Sequence, residues 1–72
     1  MKRIIRSPGD VVSVIECARV KQNISKRGMS KAANVSTMTY TAFLNRGSGG
    51  SVANALGYLA ALGFEVVVRT KE

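Results

Sequence analysis

Apolar positions recur at helical spacing along most of the chain, and polar or glycine-containing breaks divide them into four groups. Val11, Val14, Ile15 and Ala18 predict a first helix. Its start is written in "SPGD": Ser7 as N-cap, Pro8 at the first helical position and Asp10 at the third. It runs to about Val20 or Lys21, where Gln22 and Asn23 close it. Ser25 is a second N-cap, with Ile24 before it and Met29 placed as its hydrophobic staple partner. The second helix then covers Lys26 to Ala33, with Gly28 inside it at a cost of about 1 kcal/mol relative to alanine. Asn34, tolerant of the left-handed conformation, ends it. Ser36 caps a third helix, in which Tyr40, Phe43 and Leu44 share one face, with Val35 ahead of them. Thr37, Met38, Thr41, Ala42 and Asn45 fall on the opposite face. The stretch Thr37–Ala42 also alternates polar and apolar and is rich in β-branched residues, so on local pattern alone it reads equally as a half-buried strand.

The run "RGSGG" is a turn; no lysine follows it at P-loop spacing and no strand precedes it. Ser51 caps a fourth helix with an apolar stripe at Val52, Ala55, Leu56, Leu59 and Leu62, and Gly63 stops it. The tail Phe64–Arg69 is strand-like by residue type and needs a partner. Either Lys2–Arg6, itself a short strand or a mobile basic arm, or the same tail of a second chain can supply it.

With 72 residues, 46% of them hydrophobic and 21% charged, the chain is a single folding domain spanning 1–72 with a modest core. Its one cysteine, Cys17, has no internal partner, which points to a reducing, cytoplasmic setting and to a small buried apolar residue rather than a reactive thiol. No apolar run reaches the roughly 20 residues of a membrane span, and MKRIIR is too poor in apolar residues for a secretory signal. There is no histidine, and the four acids Asp10, Glu16, Glu65 and Glu72 form no pair or metal cluster. The expectation is a non-enzyme with no cofactor and no metal.

The distribution of charge changes the picture more than its total of +7. Between Cys17 and Phe64 there is no acid, while Arg19, Lys21, Lys26, Arg27, Lys31 and Arg46 are all basic. Half of the domain therefore carries a positive field suited to a polyanion. A solvated basic face kept for solubility is the plainer alternative.

Taken together, Ile24-Ser25, Met29-Ser30, Asn34-Val35-Ser36, Thr39-Tyr40, Phe43-Leu44 and Arg46-Gly47 give a spaced pattern that resembles the helix-turn-helix of the lambda repressor/Cro-like (Xre) family. Ser30 stands where that family has a small residue at the helix crossing, and Asn34 stands where it has a turn glycine. "SVANALGYLAALGFEVVV" is similar to the fourth helix and following strand of its small antitoxin-type members. The resemblance implies a mainly α, four- to five-helix DNA-binding domain with a short N-terminal and a C-terminal β-strand. It also implies that residues 37–45 are a recognition helix rather than a strand.

On that reading the protein is a sequence-specific transcriptional regulator, an (auto)repressor of phage or plasmid type that binds double-stranded DNA as a homodimer. Thr37, Met38, Thr41, Ala42 and Asn45 would face the major groove, where hydroxyls, an amide and methyl groups all read bases, with Asn45 addressing a base or a phosphate and the helix start at Ser36 offering backbone amides to phosphates. Ser25, Lys26, Arg27 and Arg46 would meet phosphates, and Lys2, Arg3 and Arg6 are candidate arm contacts to the minor groove. Phe64, Val66 and Val68 are the candidate dimer residues, with the fourth helix as the rival surface. The alternative function is an antitoxin-type module that caps a toxin protein, with DNA binding secondary.

Overall fold

Serine caps open the first three helices. The computed structural model describes residues 3–46 and 52–71, with the backbone but not the side chain of Arg46. Within them α1 spans Pro8–Lys21, α2 Lys26–Ala32, α3 Thr37–Arg46 and α4 Val52–Ala61. Ser7 accepts the Asp10 amide at 3.3 Å, Ser25 the Gly28 amide at 2.9 Å and Ser36 the Thr39 amide at 3.0 Å. Each cap satisfies one of the amides that a helix start leaves orphaned. At α1 the Asp10 carboxylate also accepts the Arg6 amide at 2.8 Å, closing the entry from both sides. Gly28 has a local reason to lack a side chain. A Cβ there would sit 3.2 Å from the Ser25 hydroxyl and 3.3 Å from Ile24 Cγ2, crowding both the cap and the staple.

α1, α2 and α4 stop by one device. Asn23, Asn34 and Gly63 take left-handed backbone, with φ of 61°, 60° and 86°. In each, the next residue's amide reaches back five positions: Ile24 to Arg19, Val35 to Ser30 and Phe64 to Leu59, at 2.9–3.0 Å. The left-handed residue's own amide bonds three positions back, to Val20, Lys31 and Ala60. These are Schellman motifs, in which two orphan carbonyls of the last turn are satisfied together. Asparagine bears some of the steric cost that glycine avoids. Asn34→Gly is therefore expected to stabilise the domain by roughly 0.5 kcal/mol, a rise of about 2–4 °C in Tm. Thermal denaturation measures it, and a lower Tm would show that the Asn34 side chain itself holds the turn.

The core draws on every helix: Val14 and Ile15 from α1, Met29 from α2, Tyr40 and Phe43 from α3, Tyr58 and Leu59 from α4, and Leu62 just beyond it. α2 packs against α3 and α4, and α1 against α4. The Tyr58 ring meets Tyr40 edge-on at 4.8 Å and Phe43 at 5.0 Å, so three aromatic rings join α3 to α4. Ser30, the small residue expected where α2 meets its neighbours, is 2% exposed and gives its hydroxyl proton to the Lys26 carbonyl at 2.8 Å. Val35 packs half-buried against the core from inside the turn, as its position predicts.

Four expectations need correction. Residues 64–71 have no regular secondary structure, and no strand occurs among the described residues, so the strand expected over 64–69 is not found in the single chain. A strand is defined by its ladder, and this tail has no described partner. Residues 3–6 likewise have no regular structure, and Lys2 lies outside the described residues. Cys17 is exposed rather than buried, because the core face of α1 runs through Val14 and Ile15 and leaves residue 17 beside an open groove with Val20 and Phe64. In α4 the expected stripe is rotated. Tyr58, not read as core, is fully buried, while Val52 and Leu56 are 74% and 46% exposed. The sequence of α4 is apolar nearly all round, so periodicity could not choose its face, whereas the bulk of Tyr58 among the other rings does. The turn at 47–50 and the cap Ser51 lie outside the described residues. Among those described, no helix is long and apolar enough to cross a membrane.

Candidate nucleic-acid interface

α3 is held from behind by a polar anchor. The Tyr40 hydroxyl donates to Glu16 Oε2 at 2.6 Å, linking α3 to α1 across 24 positions of sequence. Arg19 donates twice to the same carboxylate, from Nε at 2.7 Å and from an Nη at 2.9 Å. Its other Nη donates to the Ile24 carbonyl at 2.7 Å, immediately before the Ser25 cap. One guanidinium thus fixes both the partner of α3 and the entry to α2. The bidentate geometry and the charge make these bonds stronger than neutral ones. At the far end of α1, the Gln22 amide donates to the Leu62 carbonyl at 3.0 Å, tying α1 to the end of α4.

Arg19, Tyr40 and, through space, Lys26 hold the Glu16 carboxyl below its ordinary 4.5, with partial burial opposing them. Burial, and then the Glu16 carboxylate, push the Tyr40 phenol well above its ordinary 10.0. The signs follow by linkage. A carboxyl whose value is lowered on folding stabilises the fold above 4.5 and loses that contribution as pH falls below it. A phenol whose value is raised stabilises below 10.0 and loses that contribution as pH rises further. Tm is therefore expected to fall on acidification below about pH 4.5, and Glu16→Gln is expected to melt lower at neutral pH with a flatter acid limb. Parallel pH–Tm curves for the two proteins would contradict this anchor.

The outward side of α3 carries no charge before Arg46. Ser36, Thr37, Met38, Thr39 and Asn45 are exposed, and Thr41 and Ala42 are half-buried. Met38 is 80% exposed. The hydroxyls here are partly committed: Ser36 and Thr39 share a hydrogen bond at 2.8 Å, and Thr41 donates to the Thr37 carbonyl at 2.9 Å. Around α3, Ser25, Lys26, Arg27 and Lys31 of the α2 region are exposed. The nearest acid, Glu16, is engaged by Arg19 and Tyr40. The exposed positions of α3 before Arg46 are uncharged and α2, which packs against it, carries exposed cations, a combination that suits a groove lined by phosphates.

Not every candidate joins this surface. The Arg46 side chain lies outside the described residues. Arg3 lines the groove beside Cys17, Val20, Leu62 and Phe64, which none of the outward α3 residues lines. Arg6 is exposed, with its backbone engaged by Asp10. Phe64 packs on the chain's own core, whereas Val66 and Val68 are exposed. The Glu16–Arg19–Tyr40 anchor went unread in the sequence, although two signals were present. Glu16 and Arg19 are spaced i, i+3 on one helix, and a tyrosine on an apolar face needs a partner for its hydroxyl. Comparison with protein families, with curated proteins and with solved structures finds no match for this chain.

Proposed function

We propose that the protein is a sequence-specific DNA-binding transcriptional regulator of the lambda repressor/Cro-like type, acting as an autorepressor in the cytoplasm. α3 enters the major groove of a palindromic operator, and two chains bind its two half-sites. The observation that carries this reading is the uncharged outward side of α3 together with the exposed cations of α2, the helix packed against it, in a stretch with no acid from residue 17 to 64. Charges placed around the helix suit phosphates, and uncharged groups on it suit base edges. The Glu16–Arg19–Tyr40 anchor supports the same reading, because base readout requires a helix whose rotation is fixed.

Dimerisation completes the reading, since one such domain covers too little DNA for tight specific binding. The tail is the proposed element. It has no ladder among the described residues, and Val66 and Val68 are exposed, the latter at 92%. Pairing with the same tail across a two-fold axis turns it into a strand and covers those side chains. A second reading, a module that caps a toxin protein, is favoured by one feature that DNA leaves unexplained: the exposed Val52 and Leu56 of α4.

Selection from a random duplex library, with the mass of the bound complex, tests the proposal. Enrichment of a palindrome with half-sites about 10 base pairs apart, held by two chains, is the expected result. Salt-sensitive binding without enrichment would overturn it and favour the protein-capping reading.

A further inference from the structure

We infer that the outward face of α3 reads thymine 5-methyl groups, so that the half-site it takes is centred on A·T pairs. This inference rests on the DNA-binding proposal and specifies its ligand. Direct readout of guanine calls for arginine or lysine, and none occurs on α3 before Arg46, at its very end. Readout of adenine calls for an amide, and Asn45 is the one that α3 carries. The hydroxyls are in part committed within the helix. The Thr41 proton is spent on the Thr37 carbonyl. Ser36 and Thr39 are bonded to each other, and Ser36 also accepts the Thr39 amide. A hydroxyl has one proton to give, so two of the four hydroxyl protons at Ser36, Thr37, Thr39 and Thr41 serve the helix itself.

What the face presents instead is apolar. Met38 is 80% exposed at the second helical position, and Thr41 and Ala42 follow one turn later with a γ-methyl and a β-methyl. The thymine methyl is the apolar feature of the major groove. Spacing agrees with this. Met38 to Asn45 spans seven residues, about 10 Å of helix at 1.5 Å per residue, and three base-pair steps cover about the same length. Exposed Lys26, Arg27 and Lys31 on the adjoining α2 make a polyanion, rather than an apolar protein surface, the fitting occupant of this face.

The test uses the full chain and the duplex enriched by selection, with thymines of each half-site replaced one at a time by deoxyuridine. That change removes one methyl and leaves every base-pairing and groove hydrogen bond in place. Two or three positions per half-site are expected to lose about fourfold in affinity each, the value of one buried methyl. Met38→Ala, at an exposed position, is expected to abolish the distinction between thymine and uridine at one of them. Equal affinity for the thymine and fully uridine-substituted duplexes would overturn the inference and leave sequence-specific binding standing. A half-site built of G·C pairs would do the same. Failure to enrich any duplex would overturn both this inference and the function on which it rests.

Discussion

Tyr40→Ala is expected to leave the domain largely unfolded at 25 °C, whereas Tyr40→Phe is expected to fold and lose roughly 1.5 kcal/mol. Tyr40 is fully buried, touches both other core rings and bonds to Glu16 at 2.6 Å. Truncating a buried aromatic costs about 3–5 kcal/mol, comparable with the whole stability of so small a domain. Removing only the hydroxyl keeps the rings and breaks one bond to a charged acceptor. Tyr58 is the internal control. It is just as buried, and its hydroxyl has no hydrogen-bond partner among the described residues. Tyr58→Phe is therefore expected to be neutral or stabilising by up to about 1 kcal/mol, because it deletes a desolvated polar atom and no bond. Urea denaturation of the three variants separates these effects. Equal losses for Tyr40→Phe and Tyr58→Phe would mean that the bond to Glu16 contributes nothing to the fold.

Met38→Glu is expected to move stability and DNA affinity in opposite directions. Met38 is the second residue of α3 and almost fully exposed, so no core contact is lost. A carboxylate there lies against the positive end of the helix and stabilises it by about 0.3–1 kcal/mol. Facing a duplex, the same charge meets phosphates of its own sign and is desolvated without a partner, a penalty of several kcal/mol. A loss of at least 100-fold in affinity for the selected duplex, with an unchanged or higher Tm, is the expected outcome. A structural role alone for α3 predicts no loss of binding. Full affinity in this variant would remove α3 from the interface.

Much of the fold could be read from residue types with one steric or hydrogen-bonding requirement each. Serine before a helical run marked the starts of α1, α2 and α3, and Asn23, Asn34 and Gly63 marked the stops, since few residues tolerate the left-handed backbone found there. The strand-or-helix ambiguity of residues 37–42 falls to the helix, because Tyr40 and Phe43 gain a buried face only at helical spacing. Other features depended on long-range packing that local pattern does not encode. The buried face of α4 was set by where Tyr58 meets Tyr40, and the exposure of Cys17 by which turn of α1 met the core. The tail illustrates a third case, in which valines suggested a strand but the single chain gives them no ladder to join. At the candidate site, helical phase gave the exposure of Thr37, Met38 and Asn45, whereas Thr41 and Ala42 of the same expected face are half-buried and Thr39 is exposed. The anchor behind them joins positions 24 residues apart, beyond the reach of any local pattern.

The most direct test of the account is residue-by-residue mapping of the DNA contact by NMR, with the amide shifts of the protein followed as the selected duplex is added. Ser25–Lys31 and Ser36–Arg46 are expected to move most, with the core-facing amides of α1 nearly unchanged. Shifts concentrated on Val52, Leu56 and Val66–Val68, with α3 silent, would contradict DNA reading by this helix.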